Sequence, residues 1–444
     1  MEAGGGEQPE RQPSPLGHAG VVGAGIAGLA AAIALRRAGW RVEVFERSQF
    51  KNEIGAAITV TPNGALVLNR WGFDMEKAEA VPNLSKVIAL ATDPRVILDR
   101  QEYADRGREL GHGVWSLHRV DLHRGLRDLA TTPSADEAGQ PVQITLGCAV
   151  EEVDCEAGVL KMADGQTVNK DLSLLLSDFT GYPCEARRNN RSIYRWLVSM
   201  DDVMADPDLR EIYSNEPPGF MAWIDPGTKM LWTTYRCRGG KLLNIALGHQ
   251  TQPFQVEKNG WHAQVSREEV LATADNYHPS IKKMVSMANE DGIHIHHVST
   301  RPPLDSFVRG RTVVVGDAAH VMMPTHAAGA GISIESAASL EVLFREVNGK
   351  DSSTISCRLN LFDKLRIPRC NLTMLASNSK MGRLRQPGVV DEIRKFYHGP
   401  LPPPDALPYS EAWRQILFHH DEYRAAEELL AQASSQKSTL AEGG

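Results

Sequence analysis

A glycine-rich turn near the start of the chain constrains the fold more than any other feature. The sequence HAGVVGAGIAGLAAAIALRRAGWRVEVFERS runs from an apolar strand into three glycines that match G-x-G-x-x-G, and an Ala-rich helix follows from about Ile26. Gly23 permits the tight turn, Gly25 permits close approach of a diphosphate, and Gly28 permits close packing of helix on strand. The pattern predicts a dinucleotide site at the start of an α/β fold.

A second strand with an acid at its end supports the same interpretation. The helix is expected to end at Gly39, and the strand RVEVFE then ends at Glu46, about 20 residues beyond the glycines. A carboxylate at this point can hydrogen-bond an adenosine ribose, and it favours free hydroxyls over a 2′-phosphate. These residues alone leave both NAD and FAD as candidate ligands.

The later stretch TVVVGDAAHVMMPTHAAGAGISIESA (312–337) adds a second feature of the same kind. Its valines predict a strand over Thr312–Val315 that is buried on both faces. Gly316 and Asp317 then emerge at the carboxyl end of the sheet, where open α/β folds bind ligands. A plain NAD-binding domain does not need this second feature.

Length, charge and cysteine content limit the remaining possibilities. A chain of 444 residues is longer than a single core usually supports, so we expect two closely associated lobes. The net charge of −7 offers no basic excess, which argues against a nucleic-acid partner. The six cysteines form no CxxC pair and no apolar run is long enough to span a bilayer. We therefore expect a cytoplasmic protein with no membrane span.

The order VVVGDAAHVMMPTHAAGAG resembles the second FAD fingerprint of the single-component FAD-dependent aromatic hydroxylases, the salicylate hydroxylase-like and fungal-type flavin monooxygenases. The resemblance implies FAD as cofactor and NAD(P)H as co-substrate. It also implies that Asp317 hydrogen-bonds the ribityl chain of the flavin. Pro324, Gly329, Ala330 and Gly331 would line the isoalloxazine ring. A helix that begins near Gly329 would direct its positive end at the ring and stabilise the anion formed on reduction.

Two further segments carry the resemblance along the chain. The sequence EIGAAITVTPNGALVLNRWGF (53–73) resembles the family segment that runs beside the flavin, and it contains Ala57. The sequence LHRVDLHRGL (117–126) resembles a helix start from which an arginine approaches the FAD pyrophosphate. The resemblance assigns that role to Arg119.

The chain departs from the family at one motif. The family usually carries an Asp-Gly pair, in a run such as D-L-V-I-G-A-D-G, that touches both FAD and the nicotinamide cofactor. The corresponding segment of this chain is DGQTVNKDLSLLLSDFTGYPCEARRNN. Asp164 and Asp171 are placed as expected, but Asp178 is followed by Phe179. Either Asp178 acts from an altered loop, or binding of the reductant is impaired.

The resemblance and the strand pattern together predict the fold class. It is α/β, with a Rossmann-like FAD-binding domain interleaved with a mixed β-sheet substrate domain and a helical C-terminal part. YRWLV (194–198) and TTYRCRGGKLLNIAL (233–247) resemble strands of the substrate domain. The predicted boundaries are a disordered tail (1–17), the first parts of the FAD-binding domain (18–180, chiefly about 18–80 and 100–180), the substrate domain (181–299), the Gly-Asp part of the FAD-binding domain (300–350) and the C-terminal helical region (351–444).

The resemblance also implies a reaction. NAD(P)H would reduce the flavin, O₂ would add at its C4a position, and the hydroperoxide would transfer an OH group to a phenolic or polyketide-like aromatic substrate of secondary metabolism. Arg195 would hold the substrate anion and Tyr235 would orient it, and the alternative is a surface ion pair and a core aromatic. His326 would lie near the flavin edge, with capping of backbone groups as its alternative.

Other functions stay open at this point. A flavin-binding paralogue without turnover is motivated by the missing Asp-Gly pair. A Baeyer–Villiger or epoxidising monooxygenase needs only a different substrate pose.

Two groups of histidines invite a metal interpretation. A strand would place His294 and His296 on one face, but no nearby carboxylate or cysteine completes a site. The segment His419–Glu422 is predicted to be an exposed helix turn. No metal site is expected.

Overall fold

The computed structural model describes residues 14–50, 56–102, 112–133, 139–175, 186–228, 230–256, 258 and 263–442. These residues form two lobes, each with its own large sheet, and a helical C-terminal part. The predicted fold class is therefore confirmed. Strands and helices are numbered below in chain order.

The first lobe is built on a six-stranded sheet. Every neighbouring pair is parallel except the pair formed by the two strands that come latest in the chain, which is antiparallel. Its central strands are buried along their length because helices cover both faces, which is the usual environment of a parallel sheet. In spatial order the strands are β18 (Val308–Arg309), β19 (Thr312–Val314), β12 (Leu172–Leu175), β1 (His18–Val22), β2 (Arg41–Glu46) and β8 (Gln143–Leu146).

Five helices in the described part of the chain belong to this lobe. They are α1 (Ile26–Arg37), α2 (Pro62–Arg70), α3 (Arg119–Thr131), α8 (Asp317–His320) and α9 (Gly329–Phe344). Helices α1 and α9 each pack on more than one of the others. Helix α1 packs against α9, and Trp40 closes the contact because its indole N–H donates to the carbonyl of Phe344 at 3.1 Å. As predicted, α1 ends just before Gly39, whose φ of +89° suits a glycine.

Two small antiparallel sheets complete the first lobe. One contains β3 (Ala57–Val60), β7 (Val114–His118) and β4 (Val81–Asn83). The other contains β11 (Thr167–Asn169), β10 (Val159–Met162) and β9 (Val150–Asp154). The first of these sheets lies between the lobes.

The second lobe is a seven-stranded mixed sheet covered on one face by helices. Three tryptophans (Trp196, Trp223 and Trp232) fill the core between this face and the helices. In spatial order the strands are β17 (His294–Thr300), β13 (Arg187–Ser199), β16 (Leu242–Gln250), β15 (Met230–Cys237), β14 (Gly219–Asp225), β5 (Ser85–Leu90) and β6 (Ile97–Glu102). The helices are α4 (Met200–Ala205), α5 (Pro207–Tyr213), α6 (Arg267–Thr273) and α7 (Pro279–Ser286).

Strands β5 and β6, the last two strands at one side of this sheet, come from within residues 18–180, the part of the chain predicted to form the FAD-binding domain. Strand β5 pairs in parallel with β14, and β6 pairs antiparallel with β5. The chain thus enters this sheet at β5, leaves it after β6 and returns at β13. The long connection between β5 and β14 is of the kind that a parallel pair requires. The structure thus places residues 85–102 in the second lobe.

The C-terminal part is helical, as predicted, and a Pro-rich connector (398–408) interrupts it. Pro368 lies inside its longest helix. The helices are α10 (Ser352–Asn378), α11 (Val389–Arg394), α12 (Glu411–Leu417) and α13 (Glu422–Glu442). Among the described residues, no helix combines the length and apolarity that crossing a bilayer requires.

The ordered chain begins slightly before the predicted boundary at residue 18. The Leu16 amide donates to the Gly39 carbonyl at 3.1 Å, and the Leu16 carbonyl accepts from Gly349 at 2.7 Å. Residues 16 and 17 are therefore hydrogen-bonded to the first lobe. Residues 1–13 lie outside the described part of the chain.

Candidate functional site

The N-terminus of helix α1 faces open space. Gly23 has a φ of +105° and donates its N–H to the Phe45 carbonyl at 2.8 Å, which fixes the turn. Gly25 is the N-cap of α1 and no side chain caps the helix there. A Cβ atom built on Gly25 would meet no atom of the other described residues within 4 Å. A glycine at this position leaves open space in front of the first amides of the helix. Such a space suits a diphosphate.

Glu46 lies beside this turn, as its position at the end of β2 predicted. One carboxylate oxygen accepts from the Ala24 amide at 2.7 Å, and the other accepts from the Ser48 amide at 2.7 Å. Each oxygen keeps a second lone pair for a further donor. The structure thus holds the carboxylate at the rim of the open space.

The Gly316-Asp317 pair packs against the same helix. A Cβ atom on Gly316, whose φ is +65°, would lie 2.6 Å from the Cβ of Ala27 in α1. Only glycine therefore lets the end of β19 approach α1 so closely. This contact brings the two glycine motifs, far apart in sequence, to one cleft.

Asp317 and Arg119 face each other across this cleft. The Asp317 side chain is open to solvent, yet the surrounding protein raises its pKa and the Arg119 guanidinium opposes that rise. Arg119 is the first residue of α3, and its amide donates to the carbonyl of Ala56 at 3.0 Å.

The N-terminus of α9 supplies the other end of the cleft. Helix α9 begins at Gly329, as predicted, and a Cβ atom there would meet nothing within 4 Å in the part of the chain that the structure describes. Gly331 differs, because its Cβ would lie 2.3 Å from the hydroxyl of Thr61. Close packing on α2 thus accounts for Gly331, whereas Gly329 leaves space before the helix. Pro324 is exposed and Ala330 is half-buried.

These observations support the fit of FAD to the cleft. Two helix N-termini open on it, each through a glycine with free space in front, and they suit the diphosphate and the flavin ring. The structure also provides carboxylates on which ribose and ribityl hydroxyls could donate. The expected pair Asp178 and Phe179 lies outside the described residues, and Asp171 serves the fold by accepting from the His18 amide at 2.9 Å.

Strand register in the second lobe determines which side chains face the cleft. Tyr194, Trp196 and Val198 pack under the helices, so the alternate residues of β13, including Arg195, point towards the first lobe. Arg195 pairs with His294 on β17 and with Ala246 on β16. His294 and His296 share this face, as predicted.

Tyr235 and Ala57 join the two lobes at this face. The Tyr235 hydroxyl donates to the Ala57 carbonyl at 3.0 Å, and the Ala57 amide donates to the side-chain oxygen of Asn244 at 3.0 Å. Both backbone groups of Ala57 are thus bound to the second lobe. Asn244, which lies opposite Tyr235 in the sheet, was missed by sequence reasoning because an asparagine inside a strand gives no distinct signal.

Arg195 and Tyr235 lie close enough to influence each other's charge. The Nε atom of Arg195 is buried and has no hydrogen-bond partner among the described residues, and burial lowers the pKa of this guanidinium. Burial raises the pKa of Tyr235 to about 12, and Arg195 opposes the rise. Burial, with Arg195 nearby, lowers the pKa of His296 to about 3. At neutral pH the face therefore presents a cation, a phenol and a neutral imidazole.

His326 is buried in the structure rather than exposed in a loop. Its Nδ1 atom lies 3.2 Å from the Ser377 hydroxyl, and its ring packs edge-on against Trp413 with centroids 4.6 Å apart. The expected backbone capping is therefore replaced by a side-chain contact. Burial lowers the pKa of His326 to about 3, and the charge of Lys86 contributes.

The segment His419–Glu422 was predicted to be an exposed turn, and this prediction was wrong for Glu422. Its carboxylate is buried and bonded to Arg366, with Ser339 donating at 2.5 Å and His420 at 2.7 Å. The pairing depends on helices that are remote in sequence. The core ion-pair network is defined here as Glu335, Arg366, Arg369 and Glu422.

Two glutamates of this network belong to a group of side chains that could in composition bind a metal ion. Glu335, His420 and Glu422 bring one donor atom each within 4.8 Å of the others. Arg366 bonds both carboxylates, and Arg369 bonds Glu335 at 2.5 Å. The two guanidiniums already neutralise the carboxylates, so the arrangement is a structural ion-pair network.

Two family models match the chain, and together they define the class of protein. Residues 21–66 match the NAD(P)-binding Rossmann-like domain, and residues 191–355 match the FAD binding domain. The matches cover both glycine motifs and the strands that carry Arg195 and Tyr235. Their descriptions agree with the expected cofactors, FAD and NAD(P)H, and the protein is a flavoprotein.

Relatives and solved structures extend the match to nearly the whole chain. The chain is 28% identical to FAD-dependent monooxygenase cfoG of Aspergillus candidus, over 93% of this chain and 94% of the relative. It is 29% identical to hispidin-3-hydroxylase of Neonothopanus nambi, over 85% and 90%. A salicylate hydroxylase substrate complex shares the fold, with a TM-score of 0.69, 21% identity and coverage of 94% and 98%. These similarities support assignment to the single-component FAD-dependent aromatic hydroxylases, and the names of the relatives support an FAD-dependent monooxygenase.

Proposed function

We propose that this monooxygenase uses NAD(P)H and O₂ to hydroxylate a phenolic or polyketide-like aromatic substrate of secondary metabolism in the cytoplasm. The observation that carries the proposal is the placement of Arg195 and Tyr235 on the sheet face opposite the cleft of the first lobe. Bound FAD supplies the redox chemistry and the activation of oxygen. The chain supplies substrate binding, orientation and exclusion of water.

The proposed FAD contacts follow the geometry of the cleft. The amides before α1 and the guanidinium of Arg119 hold the diphosphate, and Asp317 holds the ribityl chain. The full set of proposed cofactor residues is Gly23, Gly25, Gly28, Glu46, Ala57, Arg119, Asp317, Pro324, Gly329, Ala330 and Gly331.

Arg195 and Tyr235 are proposed to act on the substrate. A buried guanidinium with an unpartnered Nε can bind a phenolate oxygen and favour the ionised ring, which is the better nucleophile. Tyr235 stays protonated at neutral pH because its pKa is about 12, so it does not act as a base. Its proton is donated to the Ala57 carbonyl, which leaves the hydroxyl oxygen to orient the substrate by accepting a hydrogen bond.

The test compares two arginines of the second lobe in FAD-loaded protein. Arg195→Met is expected to lower phenol-stimulated NADPH oxidation about a hundredfold, because a group aimed at developing charge is lost. Arg236→Met is the matched control, since Arg236 follows Tyr235 on β15 and donates to the Tyr213 carbonyl at 3.1 Å. Equal loss in both variants would contradict the proposed role of Arg195.

Anaerobic NADPH addition separates this proposal from a second candidate. The second candidate is a flavin-binding paralogue without turnover, and it is favoured by Phe179 in place of the usual glycine. Bleaching of the flavin band supports the monooxygenase. Retention of the band with FAD bound supports the paralogue. Lactone or epoxide products in place of phenols would identify a Baeyer–Villiger or epoxidising enzyme.

A further inference from the structure

Lys86 lies on the same sheet face as Tyr235. Strand β5 pairs Lys86 with Phe220 on β14, and the Phe220 ring packs edge-on against Tyr235 with centroids 5.1 Å apart. Val87, the next residue of β5, packs instead in the core under the helices. The side chain of Lys86 therefore points out of that core on the Tyr235 side of the sheet, where it meets the Pro-rich connector and Tyr409.

The ammonium of Lys86 lacks a counter-ion in the described part of the chain. Its Nζ atom donates to the Pro408 carbonyl at 2.9 Å and lies 5.1 Å from the centroid of the Tyr409 ring. Among the described residues, no carboxylate oxygen lies within 4.0 Å of it. Burial lowers its pKa to about 8. The negative charge of Asp99 opposes this lowering by a Coulomb interaction. A buried cation without a counter-ion is costly, and a bound anion would compensate it.

Tyr409 beside this cation has a strained backbone. Its φ of +70° is rare for an aromatic residue. The ring packs edge-on against Phe220 and Phe418, with centroids 5.3 Å away in each case. Such strain persists only where the surroundings enforce it, and it is concentrated at ligand sites. The strained residue here forms an aromatic wall next to the cation.

His326 adds a polar group to the same region. Its Nε2 atom is buried and finds no hydrogen-bond partner in the described part of the chain, and the charge of Lys86 helps to keep the ring neutral. Trp413 packs on its other side. A cation, a neutral imidazole and aromatic rings thus lie in one region between the second lobe and the C-terminal part.

We propose that Lys86 binds a carboxylate of the aromatic substrate, at the end opposite the ring that is hydroxylated. The inference rests on the proposed function and assigns the substrate class: an elongated aromatic acid. Strands β15 and β5 are separated by one strand, so Tyr235 and Lys86 lie about 10 Å apart across the sheet. The Tyr409 ring forms the wall against which the acid end lies.

The test measures binding, so it does not depend on turnover. FAD-loaded protein is titrated with 4-hydroxybenzoate, 4-hydroxycinnamate and their methyl esters, and changes in the flavin spectrum and calorimetry report binding. At least one acid is expected to bind about tenfold to a hundredfold more tightly than its ester, because only the acid forms a charge-assisted hydrogen bond with Lys86. Lys86→Met removes this preference and Lys86→Arg retains it.

Lys283→Met is the control, because Lys283 lies on α7 in the same lobe and pairs with Asp206 at 2.8 Å. It is expected to retain the preference for the acid. Absence of a preference across the whole series in the unaltered protein would overturn the proposal without any variant having to fold. An acid preference that survives in Lys86→Met would overturn it as well. A protein that binds acids through Lys86 but never oxidises NADPH would retain this inference and reject the proposed function.

Discussion

Two groups of charged side chains within the protein differ in how their charges are compensated. In the core ion-pair network, each arginine contacts a glutamate and the carboxylates receive further hydrogen bonds. The cleft cations, defined as Arg119, Arg195 and Lys86, have no carboxylate oxygen within 4.0 Å in the described part of the chain. The network lies among α9, α10 and α13, whereas Arg119 and Arg195 face the cleft and Lys86 lies between the second lobe and the C-terminal part.

The difference separates charges that serve the fold from charges that serve a ligand. A buried ion pair is costly to break because removal of one partner leaves the other uncompensated. A cation without a protein partner has no such dependence, and its charge is available to an anion that arrives later. The cleft cations are accordingly expected to contribute to binding and little to folding.

The largest expected effect concerns the core ion-pair network. Arg366→Met is predicted to lower the free energy of unfolding by about 3–5 kcal/mol, because it leaves Glu335 and Glu422 buried without their shared partner. Arg195→Met is predicted to lower it by less than about 1 kcal/mol. Urea unfolding of both variants without FAD measures the contrast. Similar losses in the two variants would remove the distinction between the two groups.

A second contrast is expected between two glycines at the cleft. Gly25→Val is predicted to weaken FAD binding at least about a hundredfold while costing the fold only about 1 kcal/mol, because the new side chain enters space that no other described residue occupies. Gly316→Ala is predicted to destabilise the fold by about 2 kcal/mol, because its Cβ meets Ala27 and its φ is positive. Flavin retention after desalting and thermal unfolding report the two effects separately.

The smallest expected effect concerns Lys86 and pH. Its pKa in the fold, about 8, lies below the ordinary value of 10.5, so the folded state disfavours the charged form. The resulting penalty is fully present below pH 8 and is relieved as the pH rises towards 10.5. Lys86→Met is therefore predicted to raise the stability of the ligand-free protein at pH 7 by about 1 kcal/mol.

Acid binding should show the opposite dependence, since it needs the charged form. Affinity for an aromatic carboxylate is predicted to fall above pH 8 in the unaltered protein and to stay level in Lys86→Met. The groups that face Lys86 are Asp99, His326 and Tyr409, and the pKa of His326 is too low for it to titrate in this range. Calorimetric titration between pH 7 and pH 10 checks the prediction.

Local signals explain why much of the cleft could be predicted from sequence. The glycine turn, the start of α1 near Ile26 and the end of β2 at Glu46 each depend on residues that are neighbours in the chain. The period-two alternation of strands likewise placed His294 and His296 on one face. Such features need no knowledge of distant contacts.

Features that depend on long-range contacts could not be predicted in this way. Glu422 looked like part of an exposed turn because its partner Arg366 lies on another helix. Strands β5 and β6 were assigned to the first lobe because nothing in their sequence indicates that β5 pairs with β14. Lys86 gave no signal, since its lack of a counter-ion emerges only when the Pro-rich connector packs beside it.

The interleaved order of the strands has a consequence for synthesis of the protein. Strand β1 leaves the ribosome early, but β19, which extends the same sheet beyond β12, follows only after the whole second lobe has been made. The face of α1 that packs on α9 likewise stays uncovered until α9 has been synthesised. Chains usually fold domain by domain as they emerge, at about 5–20 residues per second. This chain must keep an apolar, half-built sheet in the cell for many seconds, so its yield should depend on chaperones more than that of a protein with consecutive domains.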